Sequence, residues 1–170
     1  MSQIKVDSIV PRGGLPSGAS GGITQTVQAF KDDEFSFTTT GANSYVDLTG
    51  LSVTITPQSS SNKILIIAHI CSNMANASMN SLRCLRGSTA IGNGTETNLT
   101  QAITTSTANA DRHHTMSFCI LDSPNTTSAT TYKVQMSKSQ SGTMRINRRD
   151  TTSTSGFSAS SSVTAFEVSA

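Results

Sequence analysis

Along most of this chain apolar residues recur at every second position, the period of a strand with one buried face. Residues 51–56 show it cleanly, with Leu51, Val53 and Ile55 facing one way and Ser52, Thr54 and Thr56 the other. Pro57 ends that strand and QSSSN supplies the turn. Strands are likewise predicted over 23–30, 34–40, 81–87, 115–122, 129–138, 142–148 and 161–168, with Phe35 and Phe37 sharing a face. The charged residues Lys31-Asp32-Asp33 form the turn between the first two. The turn at 139–142 predicts a hairpin joining the strand of Tyr132, Val134 and Met136 to that of Met144 and Ile146.

Residues 63–71, KILIIAHIC, depart from this rule. Ile64, Ile66, Ala68 and Ile70 face one side, and Leu65, Ile67, His69 and Cys71 the other. A strand apolar on both faces is covered on both. A sandwich covers only one, so the second cover is predicted to be another subunit.

Eight to ten such strands, with turn signals every 8–15 residues, predict an all-β fold, an antiparallel β-sandwich or jelly roll. Two long polar segments, 88–112 and 149–160, interrupt it and read as functional or assembly loops. Ahead of the sandwich, residues 1–10 read as extended, with Ile4, Val6 and Ile9 spaced apart. PRGGLPSGASGG, residues 11–22, has too much Gly and Pro for a helix or central strand. The division is therefore an arm and linker over 1–22 and a sandwich over 23–170. A Gly-rich arm of this kind gains order only by packing on another subunit or another protein.

Composition narrows the function classes. The 170 residues include 28 Ser and 25 Thr, no Trp, and only 13% charged residues, against roughly 25% in an average domain. Good helix formers are scarce. No apolar run is long enough for a transmembrane helix, and MSQIKVDSIV lacks the pattern of a secretory leader. A net charge of +2 without a basic block gives nucleic-acid binding little support.

Candidate chemistry is thin. Cys71, Cys84 and Cys119 lack CxxC spacing and are expected to be buried free thiols. His113 and His114 would point to opposite faces of a strand, too far apart to share a metal, and His69 is expected to be buried or at an interface. Asp32, Asp33 and Glu34 read as a solvated charge run. GxSxG and the phosphate-loop motifs are absent. The sequons at Asn76, Asn93, Asn98 and Asn125 are expected by chance in so Ser/Thr-rich a chain. Arg145, Arg148 and Arg149 with Asp150 form the one dense charged patch, expected to make structural or inter-subunit ion pairs. No catalytic residue, metal site or cofactor is predicted, and an enzyme such as a glycan depolymerase is the least supported class.

The opening IKVDSIVPRGGLPSGASGGITQTVQ resembles the start of small virion proteins of tailed bacteriophages, especially those of marine and freshwater cyanobacteria. These are described as tail-fibre or virion structural proteins. The resemblance extends through DLTGLSVTITPQSSSNKILI, SLRCLRGSTAIG, FCILDSPNTTSATTYKVQMSKSQSGTMRINR and SSVTAFEV, most of the chain. It implies a sandwich of the tumour-necrosis-factor and complement-C1q kind, assembled as a homotrimer in the virion after synthesis in the host cytoplasm.

On that reading Ile4, Val6, Ile9, Val10 and Leu15 dock the arm on other virion proteins, a tail adaptor or the major capsid protein. Leu65, Ile67, His69, Cys71, Arg145 and Arg148 are the candidate subunit interface. Asn93, Asn98, Arg112, Arg149 and Phe157 are the candidate loop contacts, with host-surface glycan as the partner considered. No nucleic-acid or membrane partner is expected. A fibre-like role is the preferred reading; a capsid decoration or cement protein at a threefold site is the alternative.

Overall fold

The computed structural model describes residues 22–41, 43–73, 79–93, 101–104, 113–148 and 158–170. The predicted arm, 1–21, lies outside them, with Ile4, Val6, Ile9, Val10 and Leu15, as do Asn98, Arg112, Arg149 and Phe157.

Among the described residues there are eleven strands and no helix. They are β1 (Ile23–Lys31), β2 (Phe35–Thr39), β3 (Val46–Ile55), β4 (Lys63–Asn73), β5 (Met79–Arg86), β6 (Thr89–Ile91), β7 (Gln101–Thr104), β8 (His113–Asp122), β9 (Thr130–Lys138), β10 (Gly142–Ile146) and β11 (Ser161–Val168). All pairings are antiparallel. One sheet runs β1-β11-β4-β8, and β10 with β2 continues it beside the far end of β4. The other runs β3-β9-β5, followed by β6 and β7, which each pair with part of β5. The chain changes sheet at every step from β2 to β5 and again from β7 to β10, the repeated crossing of a jelly roll. The predicted antiparallel β-sandwich is the observed fold.

The core lies between the sheets and follows the two-residue period. Ile64, Ile66, Ala68 and Ile70 of β4 meet Leu82 and Cys84 of β5 and Tyr132, Val134 and Met136 of β9, all essentially inaccessible. At one end of this layer Asp122 of β8 ties the sheets together. Its carboxylate takes two bonds from Arg86 Nη1, at 2.9 and 3.0 Å, and one from the buried Tyr132 hydroxyl at 2.7 Å.

Four expectations need correction. Residues 129–148 are not a hairpin: β9 pairs with β3 and β5, whereas β10 pairs with β2 and β4 in the opposite sheet. Gly142, at φ +147°, turns the chain across the sandwich so that Met136 and Met144 enter the core from opposite sides. The 88–112 segment contains β6 and β7, too short and polar to signal themselves. The strand predicted from Leu51 begins at Val46, because a bulge near Gly50 (φ +88°) interrupts its alternation. Finally, Cys119 is exposed, since it lies on the outer side of β8, while Cys71 and Cys84 are buried.

The antiparallel register gives the sandwich two distinct ends. At one, Ser169 N–H donates to the Gly22 carbonyl at 3.0 Å, so the predicted arm joins beside the C-terminal strand. At the other lie Asn73, His113, Thr104, Arg148 and Ser158, from which the chain enters 74–78, 105–112 and 149–157. The arm and most of the predicted contact segments thus attach at opposite ends.

Candidate assembly and contact surfaces

Side chains at odd positions of β4 and β8 and at even positions of β1 and β11 form the outer face of the first sheet. Register fixes three rows: Thr26, Phe166, Leu65 and Leu121; Gln28, Thr164, Ile67 and Cys119; Phe30, Ser162, His69 and Ser117. Phe30 is 62% exposed, Leu121 54% and Ile67 41%, while Leu65 and Phe166 are half-buried. Gln28 Nε2 donates to Thr164 Oγ1 at 3.0 Å, so the polar residues of the middle row bond to each other. Lys63, at the rim, is the one charged residue among those described on this face of the four strands. Phe166, Leu65, Leu121 and Ile67 adjoin one another, with Phe30 set apart beyond Gln28, Thr164 and Ser162, and an apolar cluster on a nearly uncharged sheet face marks an interaction surface.

The opposite sheet presents the reverse character. Thr54 and Thr131 hydroxyls lie 2.8 Å apart, Lys133 Nζ donates to Asp47 Oδ2 at 2.8 Å, and Gln135 Nε2 donates to Asp47 Oδ1. Burial pushes the Asp47 pKa up, but the Lys133 and Gln135 bonds outweigh it and hold the carboxyl below its ordinary value. The two broad faces of the sandwich therefore differ sharply in polarity.

Of the predicted interface residues, Leu65, Ile67 and His69 lie on the apolar face, with His69 exposed. Cys71 does not contribute exposed surface. It is buried within the chain, where its N–H donates to Ser161 Oγ at 2.9 Å and its carbonyl accepts from Asn147 N at 2.9 Å. Arg145 and Arg148 find a partner in their own chain, because β2 is paired to β10: both guanidiniums bond Glu34, Arg145 at 2.6 Å. Glu34 is therefore not simply solvated; the Arg148 bond, then the Arg145 bond, hold its pKa down against burial. Lys31 similarly bonds Asp33 at 2.8 Å. Asn93 is exposed just after β6. His114 is half-buried and pairs with Ser72, and His113 pairs with Asn73 in the next register position.

Sequence reasoning missed Phe30, Phe166, Leu121 and Cys119 as members of the apolar face. Their alternation put them on one side of each strand, but only the order β1-β11-β4-β8 brings them together. Among the described residues no three His, Cys, Asp or Glu side chains converge as a metal site. Burial, with the Asp122 charge adding to it, pushes the Cys84 thiol up to about 12, the signature of an unreactive core thiol.

No protein-family model and no curated protein matches the sequence. Among solved structures the chain is similar to capsid proteins of infectious bursal disease virus. The Gt-strain structure is 12% identical, with 97% of this chain and 46% of that chain covered and a TM-score of 0.43. The D431N mutant VP2 protein in T=1 particles is 11% identical, covering 86% and 36% at a TM-score of 0.41. The T13 viral particle is also 11% identical, covering 86% and 36% at 0.42. The chain thus spans less than half the length of each.

Proposed function

We propose that this chain is a non-enzymatic structural protein of a bacteriophage virion. It is fibre-like, attached through its N-terminal residues, and it exposes a homotrimeric sandwich toward the host surface. The observation that carries the proposal is the outer face of β1-β11-β4-β8, where Phe30, Leu121 and Ile67 stand exposed and only Lys63 is charged. Such a face is covered in the working state. A second copy is the fitting cover, because a surface with its one charge at the rim needs no complementary charge and soluble assemblies of one chain close by symmetry. The resemblance to small virion proteins of tailed phages supplies the threefold closure and the particle. The opposed positions of Gly22 and of the ends of β4, β7 and β8 give that particle protein a base and a tip.

Sedimentation equilibrium of the full chain tests this. A mass of about 53 kDa, three times 17.8 kDa, is expected. Ile67→Asp and Leu121→Asp, both at exposed positions, are expected to give a folded monomer with an unchanged far-UV circular dichroism spectrum. A wild-type monomer or dimer overturns the trimer. Antibody labelling of particles then tests the fibre assignment: density on the tail supports it, and density across the head shell refutes it in favour of a decoration protein.

A further inference from the structure

The polar face on β3, β9 and β5 carries an arrangement that the assembly reading leaves unused. Arg83 of β5 lies opposite Gln135 of β9, and its guanidinium sits 3.9 Å from the Tyr45 ring centroid. Its Nε donates to Gln135 Oε1 at 2.6 Å. Tyr45 is itself positioned by its hydroxyl, 3.3 Å from Ser81 Oγ. The stack occupies one flat side of the guanidinium and the Gln135 bond uses its inner donor. The two terminal nitrogens form the remaining fork.

The Arg83 charge helps hold the Asp47 pKa down, but no direct ion pair fills that fork. Asp47 is the neighbouring carboxylate, and both its oxygens are engaged, by Lys133 and by Gln135. Among the described residues no carboxylate lies within ion-pair distance of Arg83. A half-buried arginine held on two sides loses little further freedom on binding, and its parallel N–H groups match a carboxylate. The surroundings are the Ser81 hydroxyl, the Gln135 amide, the Tyr45 ring and the Lys133–Asp47 pair, a polar setting suited to a hydroxyl-rich ligand. The geometry points to a site for a carboxylate-bearing saccharide, a uronate of a surface glycan, centred on Arg83 and Tyr45. The site rests on the proposed function for the claim that this face meets a host surface.

Tyrosine fluorescence of the full-length assembled protein reads this site directly. There is no Trp, and the other of the two tyrosines, Tyr132, is buried against Asp122. A glucuronic acid trisaccharide is expected to give a saturable change, and the neutral glucose trisaccharide none. Arg83→Gln is expected to weaken binding by about tenfold or more, the loss of one charge-assisted contact. Arg83→Lys, which keeps the charge without the fork, is expected to fall between. Gln135→Ala, which frees the Arg83 Nε, is expected to weaken binding with Arg83 still present. The inference is overturned if neutral and acidic sugars respond alike, or if a triglutamate peptide or acetate binds as well as the uronate. It is equally overturned if no saturable change occurs or if Arg83→Gln binds normally. Sedimentation separates this from the assembly reading: a wild-type protein at full trimer mass that binds no sugar overturns only the site, whereas Arg83→Gln at full trimer mass that has lost binding supports it.

Discussion

Replacing Glu167 by Gln tests how the arm end of the sandwich is held. Glu167 is inaccessible on β11, and its Oε1 accepts from Gln58 N–H and from Asn62 Nδ2, each at 2.7 Å. Asn62 in turn accepts from Ala170 N–H at 3.3 Å, so one carboxylate fastens both the 57–62 turn and the C-terminus. Burial pushes the Glu167 pKa up, but Asn62, Gln58, Thr24 and Ser59 together hold it below its ordinary 4.5. Gln is nearly isosteric, and its amide nitrogen would take the place of Oε2, which has no partner already. The substitution removes charge assistance and places an amide NH2 where a buried acceptor oxygen sat, so the charge-assisted share is the least it costs. Charge-assisted bonds exceed neutral ones by about 1 kcal/mol, so two bonds give a loss of about 2 kcal/mol. For a chain of this length that lowers Tm by about 4–8 °C.

The assay is thermal unfolding in an Ile67→Asp background, where dissociation adds no concentration dependence. The pH dependence has a definite sign. A carboxylate with a depressed native pKa stabilises fully above its unfolded value and loses that contribution as pH falls through the native one. The stability gap between the parent and its Glu167→Gln variant should thus be full at pH 7 and narrow on acidification below 4.5. A Glu167→Gln protein as stable as its parent at pH 7, or a gap that widens in acid, would refute the reasoning.

Two further outcomes follow from the packing. Gly92→Ala is expected to destabilise by about 1–3 kcal/mol from its φ of +63° alone, and further because the new Cβ would lie 2.6 Å from Ile120 Cδ1. Gly87→Ala, at φ +58° with nothing within 4 Å, carries only the backbone cost, so chemical denaturation should rank it milder; equal losses would remove the Ile120 contact from the account. In thiol labelling, Cys71 and Cys84 should react slowly in every form, since burial raises both pKa values. Cys119, exposed beside Ile67, should react fast in the Ile67→Asp monomer and slowly in the trimer. Equal Cys119 rates in the two would place the apolar face in solvent.

The sandwich was legible wherever a strand kept strict alternation, as in β9 and the second half of β3. Legibility failed where alternation broke. In β3, Leu48 and Leu51 both turn inward although three residues apart, because the bulge at Gly50 shifts the phase. It failed also where a strand was too short to show a period, as in β6 and β7. Pairing partners were less legible than strands: β9 and β10 are adjacent in sequence with a turn between them, yet occupy different sheets. The apolar face could be read from β4 alone, since a doubly apolar strand declares two covers. Phe30, Phe166 and Leu121 needed the sheet order. The Arg83–Tyr45 contact rests on a register between distant segments, for which no local pattern exists.

The second sheet is bounded by β3, bent by its bulge at Gly50, and on the far side by β6 and β7, two fragments that divide β5 between them. Neither margin offers a long straight row of free amides and carbonyls on which another chain could zip up as an added strand. Runaway fibrillar stacking is thereby discouraged along that margin in a protein otherwise rich in β-favouring Thr.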